Sequence, residues 1–163
     1  MPMKNVKIIG IIFFVALTLN TFSQQIKVVD YKGFEPYIQK DNDTTYIINF
    51  WATWCIPCVK ELPEFEEVNS EYESEKFKML LVSLDFKSQI ESALIPFIEE
   101  NNLQAEVILL SDPNSNEWIN KINKTWSGAI PATIIYNKNF YYCHEGSMTK
   151  TDLEKILTKN LIR

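Results

Sequence analysis

The sequence predicts an α/β fold, a central mixed β-sheet flanked by helices. Three observations lead there. A short apolar run rich in β-branched and aromatic residues, Tyr46-Ile47-Ile48-Asn49-Phe50, reads as a buried strand. After a brief turn it passes into a segment with Leu62, Phe65, Asn69 and Tyr72 spaced three or four apart, the spacing of one helix face. Further along, an Ile-Pro step precedes two strand-like runs and a last amphipathic segment. Together these give the order βαβ followed by αββα.

At 163 residues the chain is long enough for one domain with a proper core. Its net charge of −5 and the lack of a basic stripe argue against a nucleic-acid partner, and solubility accounts for the charge. The single His and three Cys bear on zinc, because a closed site needs four ligands. Cys55 and Cys58 have suitable spacing, but the remaining candidates, Cys143 and His144, are sequence neighbours and poorly placed to complete one tetrahedron. No metal and no other cofactor is expected.

The chain begins with a leader-like segment. Lys4 and Lys7 form a positive region, Ile8 to Leu19 is apolar apart from Gly10 and Thr18, and Thr21-Phe22-Ser23 offers a cut before Gln24. We expect residues 1–23 to be a secretory signal and 24–163 the folded domain. The apolar run is short of the about 20 residues that span a bilayer, although an uncleaved anchor is the alternative. Either way the domain is expected outside the cytoplasm, in the periplasm or its equivalent, where disulfides persist.

Ile26 to Asp30 is a first strand, and Phe34 to Lys40 a short helix with Phe34, Tyr37 and Ile38 on one side. Asp41-Asn42-Asp43 is a turn. After the central strand, Val59 to Tyr72 is helical, and Pro63 inside it should kink rather than end it, since the apolar spacing continues beyond. Phe77 to Asp85 suits an internal parallel strand. Ser88 and Glu91 match a capping box for a helix through Asn101 that turns Ile90, Leu94, Phe97 and Ile98 inward; Pro96 suggests instead that the helix starts or bends there. Glu106 to Leu110 is a strand, Asp112 to Ser115 a turn, and Glu117 to Lys124 a short helix holding Trp118 and Ile122. Thr133 to Tyr136 and Phe140 to Glu145 form a hairpin across Asn137-Lys138-Asn139. Thr149 and Asp152 cap a closing helix whose face is Leu153, Ile156, Leu157 and Leu161.

The chemistry is concentrated at Trp54-Cys55-Ile56-Pro57-Cys58, where the central strand turns into a helix. The attacking species in disulfide exchange is the thiolate. Free N–H groups and the dipole at a helix N-terminus stabilise a negative sulfur. A two-residue spacer lets Cys58 fold back on Cys55, and Pro57 fits the first turn, where its missing N–H costs nothing.

Trp-Cys-x-Pro-Cys after a strand resembles the thioredoxin superfamily. Asn49 to Cys55, Glu61-Leu62-Pro63 and the leader resemble its TlpA/ResA-like branch of secreted thiol–disulfide oxidoreductases. The resemblance implies a thioredoxin fold with a helix–strand insertion between Phe86 and Leu110. It implies Cys55 as nucleophile, Cys58 as resolving thiol, and a cis peptide before Pro131 that holds a backbone edge open for substrate. Glu61 resembles the active-site Glu of that branch; partly buried, it would have a raised pKa and exchange a proton with a sulfur. Asn49 stands where ordinary thioredoxins keep a buried Asp, and an amide cannot carry protons.

Trp54, Ile56, Pro57, Ile130 and Pro131 are the expected substrate-binding residues, with Trp51 and Trp126 completing an apolar collar; for Trp51, core packing is the competing reading. Cys143 is expected as a buried thiol and His144 at the surface. The expected activity is reduction of protein or peptide disulfides, by a monomer fed by a membrane thiol carrier, in envelope redox homeostasis or cytochrome c maturation. An oxidase or isomerase on the same fold is the first alternative, since direction depends on the relative stability of thiolate and disulfide. A peptide-binding module that keeps its cysteines as a staple is the second.

Overall fold

The computed structural model describes residues 25–73 and 76–160. The expected leader and Leu161 lie outside these residues. Six strands form one mixed sheet: β1 (Lys27–Val29), β2 (Thr45–Trp51), β3 (Phe77–Ser83), β4 (Glu106–Leu110), β5 (Ala132–Asn137) and β6 (Phe140–Glu145). Their spatial order is β1-β4-β3-β2-β5-β6. The β1, β4, β3 and β2 neighbours are parallel, whereas β5 runs antiparallel to β2 and to β6. The strand–helix–strand alternation in the first half requires parallel crossovers, and the Asn137–Asn139 turn requires an antiparallel hairpin.

Helices cover both faces. Along β2, Ile47 and Trp51 pack into one core with Leu62, Phe65, Leu109 and Leu153. Ile48 and Phe50 point the other way, into a core with Phe34, Val82, Trp118 and Ile134. Because successive strand side chains alternate, a strand covered on both sides must be apolar throughout, as this run is. Asn49 is the polar exception, fully buried on the Trp51 side.

Helix α2 (Ile56–Glu71) starts three residues before the expected Val59, because Cys55 caps it, and it continues through Pro63. The first helix, α1 (Tyr31–Phe34), begins earlier than expected: Asp30 accepts a hydrogen bond from the Gly33 N–H at 2.8 Å. A single 3₁₀ turn, Glu35–Tyr37, follows and the helix ends there, not at Lys40. Phe34 is nevertheless buried, with Tyr37 and Ile38 packed beside it.

The Ser88–Glu91 capping box does not form. A 3₁₀ turn (Lys87–Gln89) and a π turn (Ile90–Leu94) lead into α3 (Ile95–Glu100), with no side-chain cap at any of the three. Pro96 sits in the first turn of α3, where no N–H is needed. The inward residues are as expected: Leu94 and Ile98 are buried, with Ile90 and Phe97 packed on the same core.

The fourth helix, α4 (Ser115–Ile122), begins two residues before Glu117, behind a turn in which Asp112 accepts from Asn114 N at 2.8 Å. The last, α5 (Lys150–Asn160), opens with the expected reciprocal pair, Thr149 N–H to Asp152 Oδ2 at 3.1 Å and Asp152 N–H to Thr149 Oγ1 at 3.3 Å. Among the described residues, no helix is long and apolar enough to cross a membrane.

Candidate active site

The β2–α2 turn places Cys55 at the N-cap of α2, in extended conformation (φ −89°, ψ 98°). Its Sγ accepts from the Cys58 N–H at 3.4 Å and is bonded to Cys58 Sγ, with the two Cα atoms 5.2 Å apart. The arrangement aims a helix-terminal N–H at the sulfur that would carry charge after reduction.

Cys58 is fully buried, and Cys55, although at the tip of the helix, is only 6% exposed. The Ile130 carbonyl oxygen lies 3.7 Å from its sulfur. The Ile130–Pro131 peptide bond is cis, as the resemblance implied. Pro131 is held from behind by the Gly146 N–H, which donates to its carbonyl at 2.8 Å. Gly146 has φ +117°, a conformation that side-chain-bearing residues rarely adopt.

Glu61 lies one turn beyond Cys58 and is 4% exposed. Its Oε1 accepts from Asn49 Nδ2 at 2.8 Å and its Oε2 from the Met148 N–H at 2.9 Å. Burial pushes its carboxyl up from 4.5 to about 7, against the opposing pull of the bonds from Met148, Asn49 and Ser147. Asn49 Nδ2 also donates to Thr133 Oγ1 at 3.1 Å, while Asn49 Oδ1 is buried without a donor. Asn49 therefore orients Glu61 and contributes no proton of its own.

The collar contains fewer residues than the sequence suggests. Trp54 and Ile56 are exposed, at 56% and 70%, and Ile130 is half-buried beside Cys55. Trp51 is a core residue, fully buried with its ring 5.3 Å from that of Phe97. Trp126 is also core, packed 4.7 Å from Phe50 on the opposite face of the sheet, with its indole N–H donated to Ala129 O. Cys143, expected buried, is half-buried on the partly covered strand β6; burial raises its thiol pKa. His144, expected at the surface, is half-buried there and stacked on Tyr142.

Sequence reasoning missed Asp85 as part of this region. It receives both the N–H and the hydroxyl of Thr53, two residues before Cys55. Nothing local in the sequence marks a carboxylate just past a strand as a partner of a turn 32 residues earlier. The exposed Phe86 was missed for the same reason.

The AhpC/TSA family model matches residues 16–140. The thiol-disulfide oxidoreductase ResA of Geobacillus kaustophilus is 26% identical over 145 residues, 87% of this chain and 78% of that protein. The crystal structure of StoA from Bacillus subtilis superposes with a TM-score of 0.56 at 25% identity, covering 72% of this chain and 84% of that one. A thioredoxin-family thiol:disulfide interchange protein from Chlorobium tepidum shares the fold, with a TM-score of 0.61 at 20% identity over 78% of this chain and 84% of that one. The chain thus belongs to the AhpC/TSA family, on a thioredoxin-like fold, and is a thiol–disulfide oxidoreductase carrying the Cys55–Cys58 pair.

Proposed function

We propose that this protein reduces disulfides of proteins or peptides outside the cytoplasm. The observation that carries the reading is the Cys55–Cys58 disulfide at the N-terminus of α2 with buried Glu61 one turn beyond it. In the reduced protein the Cys55 thiolate attacks one sulfur of a substrate disulfide. A Cys55–substrate disulfide forms and the other substrate sulfur leaves as a thiolate, which takes up a proton. Cys58 then loses its proton and attacks Cys55 Sγ. That step closes the Cys55–Cys58 bond and releases the second substrate thiolate. Glu61, poised to titrate near neutrality, is the group that donates and accepts these protons. Trp54, Ile56, Pro57, Ile130 and Pro131 receive the substrate backbone and its flanking residues.

Each turnover leaves the pair oxidised, so a dithiol donor must restore it; a membrane thiol carrier meets that need for an extracytoplasmic monomer. Substrates of this class include apocytochrome cysteine pairs awaiting haem, a role that the resemblance to the TlpA/ResA-like branch supports. Equilibration of the protein against a reduced/oxidised thiol buffer, scored by alkylation of Cys55 and Cys58, tests the direction. A potential well below the glutathione range is expected. A value near the about −120 mV of strong periplasmic oxidants would reverse the reading to an oxidase. Export is tested separately: mass spectrometry of the extracytoplasmic form should find a chain starting at Gln24, and an intact Met1 would leave only the anchored alternative.

A further inference from the structure

We propose that Asp85 is a positioning residue for substrate: by clamping Thr53 it holds Trp54 and Phe86 as the two aromatic lips of a groove that receives an apolar residue flanking the substrate cysteine. The proposal rests on the disulfide-reductase reading above and names its preferred substrate class.

Asp85 is 3% exposed, and a buried carboxylate is costly unless donors surround it. Its donors come from two places. Thr53 Oγ1 donates to Oδ1 at 2.6 Å, and the Thr53 N–H reaches both oxygens at 3.2 and 3.1 Å. Ser83 Oγ, at the end of β3, donates to Oδ2 at 2.8 Å and accepts from the Asp85 N–H at 3.1 Å. The adjoining Leu84 N–H donates to Trp51 O at 2.8 Å, so the two segments stay joined past the end of the strands. The clamp therefore fixes Thr53 against the segment after β3, while Cys55 is held separately by its place at the N-cap of α2 and its bond to Cys58.

The residues immediately after the two partners are Trp54 and Phe86. Both are large aromatics left mostly in water, 56% and 67% exposed, where such side chains normally seek burial. They border one cavity of about 600 Å³, whose walls include Pro113, Ile119, Gly128 and Ile130. A side chain at Gly128 would bring its Cβ within 2.8 Å of Ile119 Cδ1, so the glycine keeps that wall open. The cavity lies beside the reacting pair: Trp54, in its wall, precedes Cys55, and the carbonyl of Ile130, also in its wall, lies 3.7 Å from Cys55 Sγ. A peptide held on the Ile130–Pro131 edge thus places a neighbouring residue between the lips, and an apolar or aromatic one covers most exposed ring surface.

The test compares a cystine peptide carrying Phe beside its cysteine with the same peptide carrying Ala, and with oxidised glutathione. The wild-type protein should prefer the Phe peptide through KM. In Asp85→Asn, the KM for the Phe peptide should rise about tenfold with kcat nearly constant, and the Phe-over-Ala preference should vanish. Thr53→Val, which removes the hydroxyl but keeps the N–H, should lie between, and Thr53→Ser should restore wild-type selectivity; this pair also serves if Asp85→Asn folds poorly. Equal losses toward all three disulfides, or a Phe preference that survives in both Asp85→Asn and Thr53→Val, would overturn the proposal. Peptides with Ser in place of Cys, titrated for binding alone, keep the two readings separate. Phe selectivity in binding without turnover would refute the reductase reading and leave the groove standing; no Phe selectivity in binding would refute the groove.

Discussion

Cys55→Ser will abolish reduction of insulin disulfides by dithiothreitol beyond the uncatalysed rate, the largest effect expected in this protein. The thiolate is the reacting species, and no other described thiol can take its place. Cys58 is fully buried behind it, and Cys143 lies on β6, outside the pair, with its pKa raised by burial. Cys58→Ser should behave differently. The first attack still proceeds, but the resolving sulfur is gone, so a mixed disulfide accumulates on Cys55 and is visible on non-reducing gels as a thiol-sensitive adduct. Turnover persisting in Cys55→Ser would remove that residue as the nucleophile. Absence of any adduct in Cys58→Ser would remove the two-step exchange.

Glu61→Gln comes next in magnitude. General acid–base catalysis contributes about 10²- to 10⁴-fold, and we expect a loss of about a hundredfold at pH 7, with the limb of the pH–rate profile near 7 flattened. A profile unchanged from wild type would end the proton-transfer role. The same group should leave a mark on stability. Its carboxyl titrates at about 7 in the folded state against 4.5 as the reference value. Between those values the folded state holds more protons than the unfolded one, so stability falls as pH rises. The contribution is complete below pH 4.5 and lost on passing through 7. Its size is on the order of a few kcal/mol, since each pKa unit between the two states is worth about 1.36 kcal/mol. Urea unfolding at pH 5 and pH 8 should show that slope in wild type and not in Glu61→Gln, whose amide does not titrate.

Much of this was legible in the chain. The β2 run is apolar on both faces because both faces are covered, and its composition says so without coordinates. The last helix announces itself through Thr149 and Asp152, which bond to each other three residues apart. The Cys-x-Pro-Cys step identifies a helix start because the Pro and the sulfur each suit an end with free N–H groups. The family resemblance extended this to the cis bond at Pro131 and to the raised pKa of Glu61.

What the chain did not reveal depends on partners distant in sequence. Trp51 and Trp54 look alike in a row of letters; one is entirely buried and the other mostly exposed, because the first points between helices and the second stands at the turn that Asp85 anchors. Trp126 reads as an active-site residue by its nearness to Pro131, but Phe50 and Trp118 draw it into the opposite core. The capping box that Ser88 and Glu91 suggest does not form, and Leu94 and Ile98 are buried without it. Local order follows from neighbours within about four residues, since hydrogen bonding, capping and side-chain periodicity act at that range. Exposure, the pKa of Glu61 and the walls of the groove arise only when distant segments close around a residue and exclude water.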